Sequence, residues 1–295
     1  MGFKLLPGLI SLYLLVWGTC ALDHSDLNTR SGTLSPRGRR LTFGRTRSDI
    51  KPRQANGNAP RDVTDSETLI AKLWRENEDL VNQFLDVEFL RFQAENPEKE
   101  TLPSYQYYSI QDYFYLVDFV QFKALRMTTY SEFNATQLLS VMNTEAPSVE
   151  HSVRDAWAFR NETLAGDLSI PLEDIDNRQR AGAELAYADW LQKNLDLGWF
   201  TLHVMTIPCV YGWGVVADKL ERSNTTLKDT IFYKTWIQAN NDPSYGQKLS
   251  DFLEAYKADY DSADANKSWT AVFRQALQFE IDLFNSALGK SLTSP

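Results

Sequence analysis

Apolar residues recur at three- and four-residue intervals through most of the chain, and this spacing constrains the fold more than any other feature of the sequence. It begins near residue 66 and continues almost to the end of the 295-residue chain. Such a period belongs to one face of an α-helix, whereas a half-buried strand would alternate polar and apolar residues, a pattern that the sequence lacks. We therefore predict one all-α domain over residues 66–290, a bundle of seven to nine helices.

Helix ends are predicted from capping residues and prolines. Thr64 or Ser66 is expected to cap the first helix, because a hydroxyl can accept a hydrogen bond from a free amide of the first turn. Proline lacks the amide hydrogen and clashes with the preceding turn, so breaks are expected at residues 97, 103, 147, 171 and 243. Long predicted helices cover residues 105–127, 178–194, 197–222, 229–240, 244–260 and 266–288, and a shorter helix is predicted over residues 136–142.

The first 65 residues have a different character. Lys4, an apolar run over residues 5–17 and small residues up to Ala21 are typical of a secretory signal peptide of residues 1–21. An uncleaved signal anchor is the alternative, although a membrane span needs about 20 apolar residues. Residues 22–65 lack an apolar period and are predicted to be disordered. Their basic pairs, such as Arg39-Arg40, indicate either a cleaved pro-segment or an uncut linker.

The predicted compartment is the secretory-pathway lumen or the outside of the cell, with no stable membrane association once the signal is removed. Residues 22–65 carry nine basic and five acidic side chains in a chain of net charge −9, so the helical domain itself is acidic. An acidic body does not attract nucleic acid. Four Asn-X-Ser/Thr triplets are candidate glycosylation sites: Asn134, Asn161, Asn224 and Asn266.

Cys209 would be the one cysteine of the mature chain, because Cys20 leaves with the signal peptide. Most unpaired cysteines are small buried hydrophobes. Gly212 and Gly214 follow closely, however, and would let another helix approach, so the thiol could line a cavity. To act as a nucleophile it must ionise, which requires a base or hydrogen-bond donors nearby.

Two acidic residues interrupt apolar helix faces. Asp112 shares a face with Tyr115, and Glu280 interrupts the apolar stripe of the last helix. A buried carboxylate is costly unless it is paired, so each is either a structural side chain with a partner or a functional acid. Burial would raise the pKa of Glu280 into a range that suits a general acid or base. Tyr187 alone indicates only a core tyrosine with its hydroxyl at the edge. Three scattered histidines offer little for a metal centre, and we expect no cofactor.

These residues lie in motifs that resemble those of the TenA/thiaminase II family. Tyr108-Ser-Ile-Gln-Asp112-Tyr-Phe-Tyr115-Leu is similar to its Y-x-x-Q-D-x-x-Y-L signature. Pro-Cys209-Val-Tyr211-Gly-Trp213 looks like its cysteine helix, Tyr233-Lys-Thr-Trp-Ile like its Y-x-x-W-I segment, and Glu280 like its closing glutamate. Order and spacing agree over residues 66–290.

The resemblance implies a heme-oxygenase-like helical fold and a thiaminase II-like hydrolase acting on a C–N bond of thiamin or of its aminopyrimidine breakdown product. Cys209 would be the nucleophile, Glu280 would move protons, and Asp112 would bind the ring nitrogen and amino group. The expected substrate-binding aromatic residues are Tyr115, Tyr187, Tyr211 and Trp213. The resemblance also implies a homo-oligomer, which surface glycans could block.

Departures from the family pattern leave the substrate open. Trp213 and Asn240 stand where members commonly have tyrosine, and Val215 stands where glutamate is frequent. A signal peptide is also unlike most relatives. The alternatives are a secreted secondary-metabolism enzyme for another heteroaromatic molecule and a non-catalytic small-molecule-binding protein on the same fold.

Overall fold

The computed structural model describes residues 67–131 and 134–294. Every regular element in those ranges is helical, so the predicted all-α bundle is confirmed. The expected signal peptide and linker lie outside the described residues. The predicted cap at Thr64 or Ser66 is wrong for the first described helix, because its cap is Thr68, whose hydroxyl accepts from the amide of Ala71 at 3.2 Å. The α-helices are α1 (Leu69–Glu76), α2 (Glu78–Leu85), α3 (Glu88–Glu95), α4 (Glu98–Thr128), α5 (Ala135–Ala158), α6 (Leu172–Asp176), α7 (Gly182–Lys193), α8 (Trp199–Val204), α9 (Trp213–Arg222), α10 (Gln238–Asn240), α11 (Pro243–Tyr260) and α12 (Ala263–Asn285).

Three π-helical segments interrupt this set. One extends α5 over Phe159–Asp167, one leads into α9 over Pro208–Gly212, and one leads into α10 over Tyr233–Ile237. A π turn holds an extra residue and so re-aims the side chains that follow it, and such turns are frequent at functional sites. Two of the three segments carry the cysteine and Y-x-x-W-I motifs.

Prolines mark some helix boundaries and not others. Asp242 caps α11 by accepting from the amide of Ser244 at 2.8 Å, and Pro243 is the first residue of that helix. Pro103 and Pro147, in contrast, lie inside α4 and α5. The predicted breaks there are wrong, and the predicted helix over residues 136–142 is the first part of a 24-residue helix. Burial of one face of α5 against α4 outweighs the hydrogen bond that Pro147 removes.

α4 and α12 are the helices around which the bundle is organised. α4 packs against α3, α5, α7 and α8, while α12 packs against α2, α3, α7 and α8. Each is long, and each buries an acidic residue completely, Asp112 on α4 and Glu280 on α12. The stretch Trp199–Arg222 is apolar and long enough to span a bilayer, but most of its apolar window is buried in the protein, as is usual for a core helix.

Candidate active site

Cys209 lies in the π segment between α8 and α9 and keeps some accessible surface within a crowded interior. Its Sγ donates to the carbonyl oxygen of Thr206 at 3.2 Å. Burial, and then the Glu280 carboxylate, raise the pKa of the Cys209 thiol well above its usual range. The resting side chain is therefore a neutral thiol, and any nucleophilic role requires a partner that accepts its proton.

Glu280 is a buried acid that accepts a hydrogen bond on each of its carboxyl oxygens. The hydroxyl of Tyr187 donates to Oε1 at 2.9 Å, and the indole Nε1 of Trp213 donates to Oε2 at 2.9 Å. Burial raises the pKa of Glu280 to about 7, against the opposing effect of these two hydrogen bonds. Near neutral pH the carboxyl group is thus poised between its acid and base forms, which suits proton transfer.

Asp112 has the opposite environment. It is fully buried, and neither of its carboxyl oxygens meets a hydrogen-bond partner from residues 67–131 or 134–294. Burial, and then the charge of Glu280, raise its pKa well above the usual range. A buried polar group without a partner is costly, so the fold retains at Asp112 a strong donor or acceptor that a ligand can satisfy.

Two tyrosines adjoin these acids and the thiol. The ring of Tyr115 stacks on that of Tyr187 with centroids 4.7 Å apart, and Tyr187 stacks in turn on Phe279 at 5.2 Å. The buried Tyr115 hydroxyl interacts with the Cys209 thiol, and this interaction lowers the pKa of Cys209 against the larger effect of burial. Burial, and then the charge of Cys209, raise the pKa of Tyr115. Flat rings on one side and polar tips on the other suit a planar heteroaromatic ligand.

The structure thus brings Cys209, Asp112 and Glu280 together with Tyr115 and Tyr187. We call these five residues the acid–thiol cluster. They come from α4, α7, the second π segment and α12, so distant parts of the sequence meet at one place. Trp213 adjoins the cluster through its hydrogen bond to Glu280.

Tyr211 lies elsewhere. It lines a surface cleft of about 250 Å³ between α9 and the start of α11, and its ring is 5.1 Å from that of Trp74. The reason is helical geometry, since Trp213 follows Cys209 by four residues and shares its face, whereas Tyr211 follows by two and points the other way. The expectation that Tyr211 binds the same ligand as Cys209 is not supported by this placement.

Three buried polar atoms near the cluster were not assigned a role from the sequence. The hydroxyl of Tyr108, Nε1 of Trp236 and Oδ1 of Asn240 are all buried. Burial raises the pKa of Tyr108 and hydrogen bonding to the Trp236 indole opposes that effect, whereas Oδ1 of Asn240 meets no partner among the described residues. Tyr108 precedes Asp112 by one helical turn, so spacing alone could have indicated it. Trp236 and Asn240 depend on the third π segment, which the sequence did not reveal.

A metal site is not evident in the described ranges, where no group of three or more His, Cys, Asp and Glu side chains is arranged to hold an ion.

A model of the TENA/THI-4/PQQC family matches residues 98–290, which include every residue of the acid–thiol cluster. Among curated protein sequences, none matches the chain.

Solved structures share the fold at low sequence identity. A TenA homologue from Pyrococcus furiosus superposes with a TM-score of 0.60 at 19% identity, covering 73% of this chain and 98% of its own. A protein from Sulfolobus solfataricus described as a TenA-like thiaminase gives 0.55 at 20% identity, covering 77% and 99%. A protein from Silicibacter described as a TenA family transcription regulator gives 0.60 at 18% identity, covering 79% and 100%. At these identities the likeness establishes the fold alone.

Proposed function

The chain belongs to the TENA/THI-4/PQQC family, and from this premise we propose that it is a thiaminase II-like hydrolase of a C–N bond on an aminopyrimidine. The substrate would be thiamin or an aminopyrimidine derived from it. The observation that carries the proposal is the meeting of a thiol, a carboxyl group without a partner and a carboxyl group with a pKa of about 7 in one buried cluster.

Asp112 would bind the pyrimidine. Burial, and then the charge of Glu280, raise its pKa and so favour the protonated form, which can donate to a ring nitrogen while its other oxygen accepts from the amino group. Donation to the nitrogen makes the ring poorer in electrons and easier for a sulfur nucleophile to attack. Tyr115 and Tyr187 would form an aromatic wall against the ring.

Cys209 and Glu280 would carry out the replacement of the amine by water. Ionised Glu280 takes the thiol proton as sulfur adds to a ring carbon. The electron pair then expels the amine from the exocyclic carbon, and Glu280 returns the proton to the leaving nitrogen. Ionised Glu280 then takes a proton from water as the water oxygen bonds to the exocyclic carbon. The bond between sulfur and the ring breaks, and Glu280 returns that proton to the sulfur, so the thiol is restored and the products are the amine and a hydroxymethylpyrimidine.

The test is product detection by mass spectrometry. The purified protein is incubated with thiamin and, separately, with an aminopyrimidine bearing an aminomethyl group, and hydroxymethylpyrimidine is sought. We expect Cys209→Ala to abolish product and Asp112→Asn to weaken substrate binding. Tyr211→Phe is the matched control, because its ring lies in the separate cleft. Full turnover by Cys209→Ala would remove the nucleophile, and no product from the wild type would remove the proposed reaction.

A related reaction on another heteroaromatic substrate is the second candidate. Asn240 favours it, since its buried Oδ1 adds an acceptor that the tyrosine common in the family would not place there. The product distinguishes the two candidates. The first predicts hydroxymethylpyrimidine from the wild type, whereas the second predicts none, together with binding of a heteroaromatic ligand to the Cys209→Ala variant.

A further inference from the structure

A pocket of about 300 Å³ lies between the start of α7, the first half of α4 and the segment that follows α12. None of the residues that line it belongs to the acid–thiol cluster. Two of them, Arg180 and Lys290, carry a positive charge, and none is acidic. The chain as a whole has a net charge of −9, so a pocket lined only by cationic and neutral groups differs from the rest of the molecule and favours a negatively charged ligand.

The start of α7 supplies hydrogen-bond donors to this pocket. The first bond within the helix runs from the amide of Leu185 to the carbonyl oxygen of Ala181 at 3.0 Å, so the amides of Gly182 and Ala183 have no partner in the helix. No side chain caps them. A Cβ atom added at Gly182 would meet nothing within 4 Å, so the space beside these amides is open. Free amides and the positive end of the helix dipole both favour an anion.

Hydrogen bonds hold both walls of the pocket in place. Gln111 of α4 is buried, and it accepts from the amide of Ala181 at 2.7 Å and donates to the carbonyl oxygen of Gln179 at 3.1 Å. On the other side, the guanidinium group of Arg178 donates to two carbonyl oxygens of the C-terminal segment that contains Lys290. The pocket is therefore preformed, as binding sites for small molecules usually are.

Lys290 is the cation that remains available to a ligand. Its ammonium group pairs with no carboxylate of residues 67–131 or 134–294. Arg180, in contrast, forms ion pairs with Asp118 and with Glu184, the second at 2.5 Å, so its charge is already compensated. An anion in the pocket would gain a charge-assisted hydrogen bond from Lys290 without displacing an existing ion pair.

Tyr107 is a second observation that indicates a ligand. It lines the pocket although its side chain is only 4% exposed, and its hydroxyl forms no hydrogen bond within the part of the chain that the structure describes. A polar group that is withdrawn from water without a partner is costly. An oxygen atom of a ligand would accept from this hydroxyl and remove the cost.

We propose that this pocket binds a phosphate group, held by the ammonium group of Lys290, the hydroxyl of Tyr107 and the free amides at the start of α7. Gly182 precedes Tyr187 by five residues, so the pocket lies about 8 Å along the helix axis from the acid–thiol cluster. The phosphate is either free inorganic phosphate or the phosphoryl group of a larger ligand that also reaches the cluster. The inference does not depend on the proposed reaction, because it concerns binding and not turnover.

The experiment measures binding of inorganic phosphate by isothermal titration calorimetry at constant ionic strength, with sodium chloride as the reference salt. We expect one saturable site in the wild type and about tenfold weaker binding in Lys290→Gln, because a charge-assisted hydrogen bond is lost. Lys193→Gln is the matched control, since it removes an exposed lysine at the other end of α7, and it should bind as the wild type does. No saturable site in the wild type, or equal weakening in the two lysine variants, overturns the proposal.

Gly182→Glu tests the pocket from the helix side. It places a carboxylate beside the free amides, so phosphate binding should be lost. The melting temperature should not fall, because an acidic side chain near a helix N-terminus is stabilising. Phosphate affinity that is unchanged in Gly182→Glu also overturns the proposal, and this variant is independent of any effect of Lys290→Gln on folding.

The source of the phosphate is distinguished by titrating the Cys209→Ala variant with thiamin and with its phosphate ester. If the pocket takes the phosphoryl group of a ligand, the ester binds more tightly than thiamin, and adding Lys290→Gln removes the difference. Equal affinities, with inorganic phosphate still bound, identify free phosphate as the occupant. Absence of hydroxymethylpyrimidine from the wild type would count against the proposed reaction and would leave the phosphate titrations unaffected.

Discussion

Asp112 and Glu280 are both fully buried acids, but they differ in their hydrogen bonds. Glu280 receives one hydrogen bond on each oxygen, from Tyr187 and Trp213, whereas Asp112 receives none from the described residues. Burial raises the pKa of Glu280 to about 7 against the opposing effect of its two donors, whereas burial, and then the charge of Glu280, raise the pKa of Asp112 well above its usual range. Environments that separate the pKa values of two neighbouring acids suit them to different roles, and in the proposed reaction Asp112 would act as a donor and Glu280 would exchange its proton.

The Trp213 indole can be tested as the source of this difference. Trp213→Phe removes the hydrogen bond to Oε2 of Glu280 and keeps an aromatic ring, so the pKa of Glu280 should rise from about 7 by about half to one unit. Because the first step of the proposed reaction would need ionised Glu280, the acidic limb of kcat/KM against pH should move to higher pH by the same amount. An unmoved limb, with Tyr211→Phe behaving as the wild type, would show that Glu280 does not set it.

Side-chain hydrogen bonds also separate the four glycosylation candidates if, as we propose, the protein is secreted. Asn224 lies in an exposed loop, and exposed Asn134 uses Oδ1 rather than Nδ2 to cap α5. Nδ2 of Asn266 donates to Asp261 at 2.5 Å and to Ser262 at 2.8 Å, so a glycan there would displace bonds at the start of α12. Asn161 is engaged similarly, with Nδ2 donating to the carbonyl oxygen of Trp157 at 2.6 Å.

We expect glycopeptide mass spectrometry, after expression in a eukaryotic secretory host, to find sugar on Asn224 and Asn134. Asn224→Gln and Asn134→Gln should each reduce the mass of the secreted protein, and Asn266→Gln should not. A glycan found on Asn266 of the folded product would contradict this division.

At the scale of whole elements, the buried carboxylate of Glu145 joins three helices. It accepts from Arg126 of α4 at 2.8 Å and from the indole of Trp199 of α8 at 2.8 Å, while itself belonging to α5. Arg126, and then His203, lower the pKa of Glu145 against the effect of its burial, so the group is ionised. Breaking such a buried pair leaves the remaining charge without compensation.

Glu145→Gln should therefore lower the free energy of unfolding by about 3–5 kcal/mol, as measured by urea denaturation. The double variant Glu145→Gln/Arg126→Met removes both charges and should cost less than the sum of the two single changes. Strict additivity would mean that the two side chains do not act as a pair. Arg154→Met, at an exposed ion pair with Glu150, is the control and should change stability by less than about 1 kcal/mol.

Gly212 explains how the π segment of the cysteine motif fits against α2. A Cβ atom at this position would lie 2.7 Å from Cε1 and 3.0 Å from Cζ of Phe84, a fully buried ring. Gly212→Ala should therefore destabilise the protein by about 1–3 kcal/mol and shift Cys209, which lies three residues earlier. Gly182→Ala is the matched control, since a Cβ atom added there would meet nothing within 4 Å. Equal melting temperatures for the two variants would show that the Phe84 ring moves away from the added Cβ atom without loss of stability.

Helix periodicity placed some site residues correctly and could not place others. Asp112 and Tyr115 share a face because they are three residues apart in a regular helix, so their neighbourhood followed from spacing. Trp236 and Asn240 lie in and after a π segment, where an extra residue changes which side chains share a face, and that turn is set by packing across the bundle. Pro147 was expected to end a helix because the sequence does not show how much of the face of α5 is buried.

At the scale of the whole molecule, the bundle buries two ionisable groups, Glu280 and Lys123, whose pKa values are strongly shifted. The free energy of unfolding must therefore depend on pH through both groups. The pKa of Glu280 is raised from 4.5 to about 7, so the folded state favours the protonated form. Its contribution to stability is fully present below about pH 4.5 and is lost as the pH rises to about 7. The pKa of Lys123 is lowered from 10.5 to about 7, so its contribution is present above about pH 10.5 and is lost as the pH falls to about 7. With respect to these two groups the protein is least stable near neutral pH.

The Glu280→Gln variant tests the part of this pH dependence of stability that comes from Glu280. A shift of about 2.5 pKa units corresponds to about 3 kcal/mol, so between pH 4.5 and pH 7.5 the variant should gain roughly that much stability relative to the wild type. Lys123→Met should show its greatest gain over the wild type near pH 7, and the gain should shrink toward pH 10.5. Urea denaturation at each pH gives both differences, with exposed Glu150→Gln as the control. If the free energies of unfolding of the wild type and of Glu280→Gln change in parallel from pH 4.5 to pH 7.5, the Glu280 carboxyl group has the same pKa in the folded and unfolded chains. Glu280 would then not be suited to proton transfer near neutral pH.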